Sequence, residues 1–511
     1  METVSTAKLE YNVTLFSESK EIDSSAETSL PEYLPDIHRV VRVDARPTMT
    51  GTTSEEGMVA VEGWVDCVIM YLPREGSLQS HFCRVPFTLR ENDTRITPKV
   101  RISATVSMTS VTCRPLSERK LSVACKVRAI LQGEESRGAE VVKPSEADRA
   151  AAEFLTSELG AARFVGRTSK DFTIEEMLEL PGGSPHIERM LRCDVSLATS
   201  EYKVVTNRVV IKGEAYVICL YLSDVESGRV EQYTTTIPFN EVLDVEGARE
   251  GDIAAINYSI LDIVYGVMAD AAGEDRRLSL RIDAQVTASV YTRVNLPIIR
   301  DTYSTSRQVK TVSANLDTEV YQEYKCGAKV ADTVSLGGKT SDIFAVEAYA
   351  DVKGTAVEDG VPIFKGDLQI SFLTKDEEGG LQAIDRCVKF SSKCGPLDQL
   401  PDRGIIFSGS CTIDDFDWRV SVSGEISVTA AISCCGIGRI KAPVTTVTSM
   451  EMGDKAEKKK SAAAITLYYP TQGETLWDVG KRYLVSQGAI CAANQIENGE
   501  IAAFSPLIIP R

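Results

Sequence analysis

The sequence predicts a mainly β protein in which three β-rich repeats, each with two packed sheets, precede a small C-terminal module of strand, helix, helix and strand. Two observations predict this fold class. A segment that begins at Ser29 recurs at Glu179 without a gap, and runs of alternating apolar residues follow both copies. The last residues change instead to two short helical patterns. Because an alternating strand buries one face, each repeat needs a second layer to cover it.

The repeat rests on matching positions in the two copies. "SLPEYLPDIHRVVRVDA" from Ser29 aligns with "ELPGGSPHIERMLRCDV" from Glu179, and chance similarity would need gaps to hold this register. A strand containing Gly follows in both, "VEGWVDCVIMYL" and "IKGEAYVICLYL", and then "VPF" or "IPF". Asp44 and its match Asp194 predict an internal ion pair or turn bond that fixes each repeat. The alternative is a contact surface between copies or between chains.

A third, degenerate copy follows the first two. "LGGKTSDI", "FKGDLQISFL" and "GEISVTAAI" take the places of the corresponding segments. The predicted boundaries are 1–140 for the first repeat, 141–166 for a helical connector, 167–300 for the second repeat, 301–440 for the third, 441–464 for a linker and 465–511 for the terminal module. The connector helix is predicted from a cap at Ser145 with Asp148 three residues on, and from a stop at Gly160. The linker is predicted from its small and polar residues.

The terminal module is predicted from its capping residues. A strand begins at Ile465, Gln472 and the following Gly turn the chain, and Thr475 caps the first helix. Ser486 caps the second helix, Asn494 ends it, and "SPLIIP" forms a second strand. The two strands must pair to close so small a core.

This module resembles a LysM domain. "QGETLWDVGKRY" is similar to the opening pattern of that family, and Asn494 stands where the family usually has Asn, whereas "AAFSPLIIP" replaces the usual Gly-Gln. The resemblance implies a shallow groove for N-acetylglucosamine polymers between two loops. The implied groove residues are Gly473, Glu474, Thr475 and Leu476 on one side, and Asn494, Gln495 and Ile496 on the other. Trp477 is expected in a core rather than as a platform for sugar.

The repeats carry a second resemblance. "LPEYLPDIHRVV" together with "VEGWVDCVIMYL" resembles the SPOCS domain of bacterial spore-coat proteins, and the order of domains is similar to that of SipL-type and SpoVID-type morphogenetic proteins. This implies a non-catalytic scaffold in the mother-cell cytosol, at the forespore surface and the spore coat. It would dock the ATPase of the coat's basement layer, and other coat proteins, through its LysM domain. A glycan anchor that binds peptidoglycan is the alternative, and self-association is possible.

Composition and motifs argue against several other functions. A net charge of −17 disfavours nucleic acid and anionic membrane surfaces, and the absence of a signal-peptide pattern or a long apolar run predicts a cytosolic chain. Three histidines and thirteen scattered cysteines without CxxC predict buried reduced thiols rather than a metal site. "GGKT" at Gly337 lacks the first Gly of a phosphate-binding loop, since Thr333 takes that place. We therefore predict no catalytic residue, no cofactor and no metal.

Overall fold

The computed structural model describes residues 2–335, 343–359, 361–375, 380–395, 405–421, 425–455, 465–496, 501 and 503–510. Strands dominate these residues, and two short helices with one pair of strands form the C-terminal end. The predicted fold class is therefore confirmed. The P-loop-like "GGKT" lies outside the described residues.

The first repeat consists of two antiparallel sheets of three strands. Its strands, after the short β1 (Glu2–Thr3), are β2 (Thr6–Ser29), β3 (Arg39–Glu55), β4 (Met58–Leu72), β5 (Gln79–Asn92), β6 (Val100–Ser117) and β7 (Lys120–Val142). One sheet has the order β3-β4-β5 and the other β2-β7-β6. The central strands β4 and β7 contribute alternate residues to the core between the layers, among them Val65 and Cys67 opposite Val123 and Val127.

The second repeat has the same construction. A helix, α1 (Glu146–Ala151), leads into β8 (Glu153–Glu179), β9 (Arg189–Val205), β10 (Arg208–Asp224), β11 (Arg229–Asp244), β12 (Ile253–Ala269) and β13 (Asp275–Tyr303). Its sheets have the orders β9-β10-β11 and β8-β13-β12. The first strand of the repeat thus pairs with the last in both copies, which places the two ends of each repeat side by side.

The third repeat keeps this order although its sequence has diverged. It comprises β14 (Arg307–Leu316), β15 (Glu319–Ser335), β16 (Ile343–Glu358), β17 (Val361–Lys375), β18 (Leu381–Lys393), β19 (Ile405–Val420) and β20 (Glu425–Lys441). The sheets are β16-β17-β18 and β15-β20-β19. The chain then continues through β21 (Val444–Lys455), β22 (Thr466–Tyr468), α2 (Leu476–Tyr483), α3 (Gln487–Asn494) and β23 (Leu507–Ile509).

The Gly and Phe of the repeated motif are cross-strand neighbours. The pairs are Gly63 with Phe87, Gly213 with Phe239 and Gly366 with Phe390. A methyl group on Gly213 would lie 2.2 Å from the Phe239 ring, and comparable overlaps occur in the other repeats. The Phe ring therefore covers the glycine, which explains why a Gly and a Phe recur together in all three repeats.

The predicted connector helix is shorter than expected. It spans Glu146–Ala151, with a capping box between Ser145 and Asp148. The expected stop, Gly160, lies inside β8 and pairs with β13. Leu159 and Ala161 are buried in this strand, so pairing with a strand more than a hundred residues away overrides the local helical pattern.

The prediction of a linker over 441–464 is wrong for residues 444–455. Residues Val444–Lys455 form β21, which lies between β1 and β14 in a three-stranded sheet. Val447, Met450 and Met452 are buried, and two of them stand at alternate positions. Residues 456–464 lie outside the described part of the chain.

One pair of cysteines also departs from the expectation of reduced thiols. Cys326 in β15 is joined to Cys394 after β18, so the bond links the two layers of the third repeat. The other eleven cysteines are free thiols, and Cys67, Cys125, Cys219 and Cys434 among them are buried as expected.

The three repeats close around a common axis. In the sheets β3-β4-β5, β9-β10-β11 and β16-β17-β18, the last strand of each contacts the first strand of the equivalent sheet in the next repeat: β5 meets β9, β11 meets β16, and β18 meets β3. In the other layer the strands β2, β8 and β15 contact one another in all three combinations. The repeats therefore form a closed ring with approximate threefold symmetry rather than beads on a string.

A buried charge cluster lies where the three repeats meet. Arg192 is 2.6 Å from Asp44 and 2.7 Å from Glu347, while Arg42 is 2.6 Å from each of the same two carboxylates. The Glu347 side chain is fully buried. Burial would raise the pKa of Asp44, but Arg192 and Arg42 outweigh it and hold that pKa below its usual range. Asp44 therefore makes both predicted interactions, an internal ion pair with Arg42 of its own repeat and a contact between copies with Arg192 of the second repeat.

A second polar cluster joins the repeats in the other layer. Glu134 of the first repeat pairs with Arg439 of the third at 2.7 Å and accepts a hydrogen bond from Tyr291 of the second at 2.9 Å. Asn12 donates to the Tyr321 hydroxyl at 2.7 Å, and burial raises the pKa of Tyr321 well above its usual value. Each layer thus has a buried, hydrogen-bonded junction that all three repeats complete.

Candidate functional site

The two helices of the C-terminal module begin and end as the sequence predicts. The Thr475 hydroxyl accepts a hydrogen bond from the backbone N–H of Asp478, and the Asp478 carboxylate accepts one from the backbone N–H of Thr475, so a capping box starts α2. Ser486 caps α3. Leu484 and Gln495 adopt left-handed conformations that terminate the two helices.

The helices and the strand pair enclose a small core. Of the residues implied as lining a groove, Leu476 is buried in this core and Ile496 packs against it. The remaining core residues are Val479, Ile490, Leu507 and Ile509. The Leu476 side chain is thus enclosed in the module, and the Ile496 side chain is partly covered by the same core.

The first side of the implied groove is held together internally. Glu474 accepts hydrogen bonds from the backbone of Thr471 at 3.0 Å and the hydroxyl of Tyr468 at 2.8 Å, and it pairs with Arg482 at 2.8 Å. These interactions, the backbone N–H of Thr471 first, hold the pKa of Glu474 below its usual range. Gly473 has a φ of 83°, and a Cβ added there would have no atom within 4 Å. A ligand on this side would meet the Gly473 backbone rather than the Glu474 carboxylate.

The second side is tied to strand β23. The Asn494 side chain donates to the carbonyl of Ile508 and accepts from its N–H, both at 2.6 Å, and it also donates to the carbonyl of Ile490 at 2.8 Å. Gln495 has a φ of 56° at the end of α3. The first side of the implied groove is therefore attached to β22 through Tyr468, and the second side is attached to β23 through Asn494. The polar side chains of Glu474, Thr475 and Asn494 are all engaged in hydrogen bonds within the module.

An apolar surface on the strand pair was missed by the sequence analysis. Its residues, named here the apolar strand face, are Ile465, Leu467, Tyr469, Phe504 and Ile508, which are 40% to 70% exposed. Leu467 and Ile508 are direct cross-strand partners. The alternation of Ile465, Leu467 and Tyr469 was a detectable signal, because such residues project from one side of a strand. A cluster of exposed apolar side chains on so small a domain is typical of an interaction site.

Helix α2 seats the module on the repeats. Trp477 donates from Nε1 to Asp301 at 2.9 Å, and Lys481 pairs with the same carboxylate at 2.6 Å. The Tyr303 hydroxyl donates to the carbonyl of Val485 at 2.9 Å, and its ring meets Trp477 edge-on. Trp477 is consequently buried, in a contact with the repeats, as expected for a core residue and unlike a sugar platform.

The charge of Asp301 holds this contact. Burial would raise the pKa of Asp301, but hydrogen bonds from Lys481 and Trp477 outweigh it and lower that pKa. Gly480 allows the close approach, because a Cβ there would lie 2.5 Å from the Tyr303 hydroxyl. The apolar strand face stays exposed in this seated arrangement.

The described residues contain no cluster of three or more His, Cys, Asp or Glu arranged to hold a metal ion. Within the same part of the chain, every helix is too short or too polar to cross a bilayer.

Comparison with known families identifies two of the segments. The family model of the SipL SPOCS domain matches residues 186–268, which contain β9 to β12, and the LysM model matches residues 471–510, which contain α2 and α3. No curated protein and no solved structure matches the chain. The resemblance to SPOCS and LysM is confirmed for these segments. The chain is thus a spore-coat-related protein with a LysM module, and both families are non-catalytic.

Proposed function

We propose that this chain is a non-catalytic scaffold of spore-coat assembly, in which the ring of repeats carries a LysM module that docks a protein of the coat's basement layer. The partner is the basement-layer ATPase, and the place of action is the mother-cell side of the forespore surface. The proposal combines the SPOCS and LysM matches with one structural observation, the apolar strand face.

The apolar strand face suits a protein partner better than a sugar. Leu467, Tyr469 and Phe504 offer large apolar area with few polar groups, and aromatic anchors of this kind carry much of the energy of protein interfaces. A side chain can hydrogen-bond a sugar only where it is not already engaged within the module. Glu474 and Asn494, which could provide them, are occupied within the module.

The seat on the repeats supports a scaffold role. Since Asp301 and Tyr303 fix α2 to the body, the module presents its apolar strand face in a defined direction relative to the ring. A partner bound there would be held at a fixed place on the scaffold, and less orientational freedom would be lost on binding.

Glycan binding is the second candidate, favoured by the LysM match and by the open backbone at Gly473. In this arrangement the backbone N–H and C=O groups of the two loops would contact acetamido groups.

The test measures binding of the full chain to the purified basement-layer ATPase by biolayer interferometry. Tyr469→Ser should weaken binding by more than about tenfold, because it removes an exposed anchor of the interface. Tyr33→Ser is the control, since Tyr33 is also an exposed tyrosine but lies on the first repeat. Equal affinity of wild type and Tyr469→Ser would reject the docking face. Tight calorimetric binding of a chitin oligomer without ATPase binding would instead establish the glycan function.

A further inference from the structure

The outer strands β6, β12 and β19 are structurally equivalent edges of the three repeats. Each is the outermost strand of its sheet and pairs with the central strand. The three central strands carry a Ser at equivalent positions, in the segments "KLSVA", "RLSLR" and "EISVT". The cross-strand pairs at this position are Arg114 with Ser122, Gly266 with Ser279 and Arg419 with Ser427. The first and third repeats thus place an arginine where the second has glycine.

The position two residues earlier is polar in the first and third repeats and apolar in the second. Two residues earlier along the edge, the first and third repeats have Thr112 and Asp417, and the second has Val264. Charged side chains on an edge strand prevent pairing with the edge of another molecule. Arg114 and Arg419 are exposed and serve this purpose, whereas β12 has no charge between Asp262 and its end at Ala269.

The unprotected edge of β12 is also apolar. Val264, Tyr265, Val267 and Met268 are each 37% to 52% exposed. Val264 and Met268 lie on one face of the sheet, and Tyr265 and Val267 lie on the other. A free edge with exposed apolar residues on both faces is suited to pairing with another strand.

We propose that β12 pairs antiparallel with β12 of a second copy of this chain, with Gly266 on the twofold axis. In this register Val264 lies opposite the partner's Met268, and Tyr265 lies opposite the partner's Val267. Apolar residues then meet apolar residues on both faces, and the two glycines bring the backbones together without side-chain overlap. The sequence around Gly266 is complementary to itself, and this argues for a second copy over an unrelated strand.

The pairing extends two three-stranded sheets into one of six strands. A contact through one strand buries less area than a typical stable dimer, so the dimer forms at micromolar concentrations and dissociates below them. Each copy has a net charge of −17, and this repulsion is screened by salt. Dimerisation therefore strengthens as ionic strength rises. The contact is independent of the LysM module and would join scaffolds where they are concentrated.

Sedimentation velocity of the full chain across micromolar concentrations tests the pairing. Gly266→Arg introduces the arginine that the first and third repeats have at this position. Val264→Asp introduces the aspartate that the third repeat has at the equivalent of Val264. Each should weaken dimerisation by about tenfold or more, because each substitution occurs twice across the axis. Thr112→Asp, at the equivalent edge position of the first repeat, should leave the dimer unchanged. Circular dichroism of each variant should match the wild type.

A wild-type chain that stays monomeric at all concentrations and salt levels overturns the proposal. A dimer that persists equally in Gly266→Arg and Val264→Asp also overturns it, since the contact would then lie on another surface.

Discussion

Replacing Glu347 with Gln tests whether the buried charge cluster holds the three repeats together. Glu347 faces Arg42 at 2.6 Å and Arg192 at 2.7 Å, and its side chain has no exposed area. Glutamine keeps the shape but removes the charge, so that the two arginines face one fully buried carboxylate fewer. Loss of one partner in a buried ion pair costs about 3–5 kcal/mol, and we expect the free energy of unfolding to fall by that amount.

Urea unfolding, followed by far-ultraviolet circular dichroism, measures this loss. Glu358→Gln is the control on the same strand, because Glu358 pairs with Lys365 at 3.3 Å and both side chains are more than half exposed. An exposed pair contributes about 0–1 kcal/mol. If the two variants lose the same stability, the reasoning that the cluster holds the repeats together is refuted.

Two further predictions concern the repeat motif and the module seat. Gly213→Ala should destabilise the protein by about 1–3 kcal/mol through overlap with Phe239, whereas Gly182→Ala, with open space around it, should have little effect in the same urea assay. Asp301→Asn should release the module and change Trp477 fluorescence. Because the folded pKa of Asp301 is lowered, its contribution is present above about pH 3.8 and is lost as pH falls further, so an acid titration of wild type should show the same change.

The sequence predicted those features that depend on neighbours along the chain. The caps at Ser145, Thr475 and Ser486 involve residues three positions apart, so a short segment suffices to identify them. The two-layer β fold follows from the alternation of apolar residues, which each strand carries itself. The terminal module was predictable because its helix caps and the alternation in its strands are both local patterns.

The features that sequence reasoning missed depend on distant partners. Residues 153–160 carry a helical pattern but pair with the end of β13, and β21 reads as a polar linker until β1 and β14 flank it. The seat of the module joins Trp477 to Asp301, which is far away in sequence. No local pattern encodes such contacts, because they follow from how the repeats close into a ring.

The divergence of the third repeat has a physical reason at this ring closure. Asp44, Asp194 and Glu347 occupy equivalent places, each opposite the residue five after the glycine of the motif. Two residues before each stand Arg42, Arg192 and, in the third repeat, Ala345. Arg42 and Arg192 share Asp44 and Glu347, and Asp194 lies beside them, where it accepts a hydrogen bond from Tyr349.

An arginine in place of Ala345 would put a charged side chain into apolar surroundings, and burying a charge away from a partner is costly. Ala345 is instead buried in an apolar cluster with Leu191, Leu220 and Leu373. Fusing the repeats in one chain allows their central residues to differ, so the degenerate third copy completes the cluster that the first two begin.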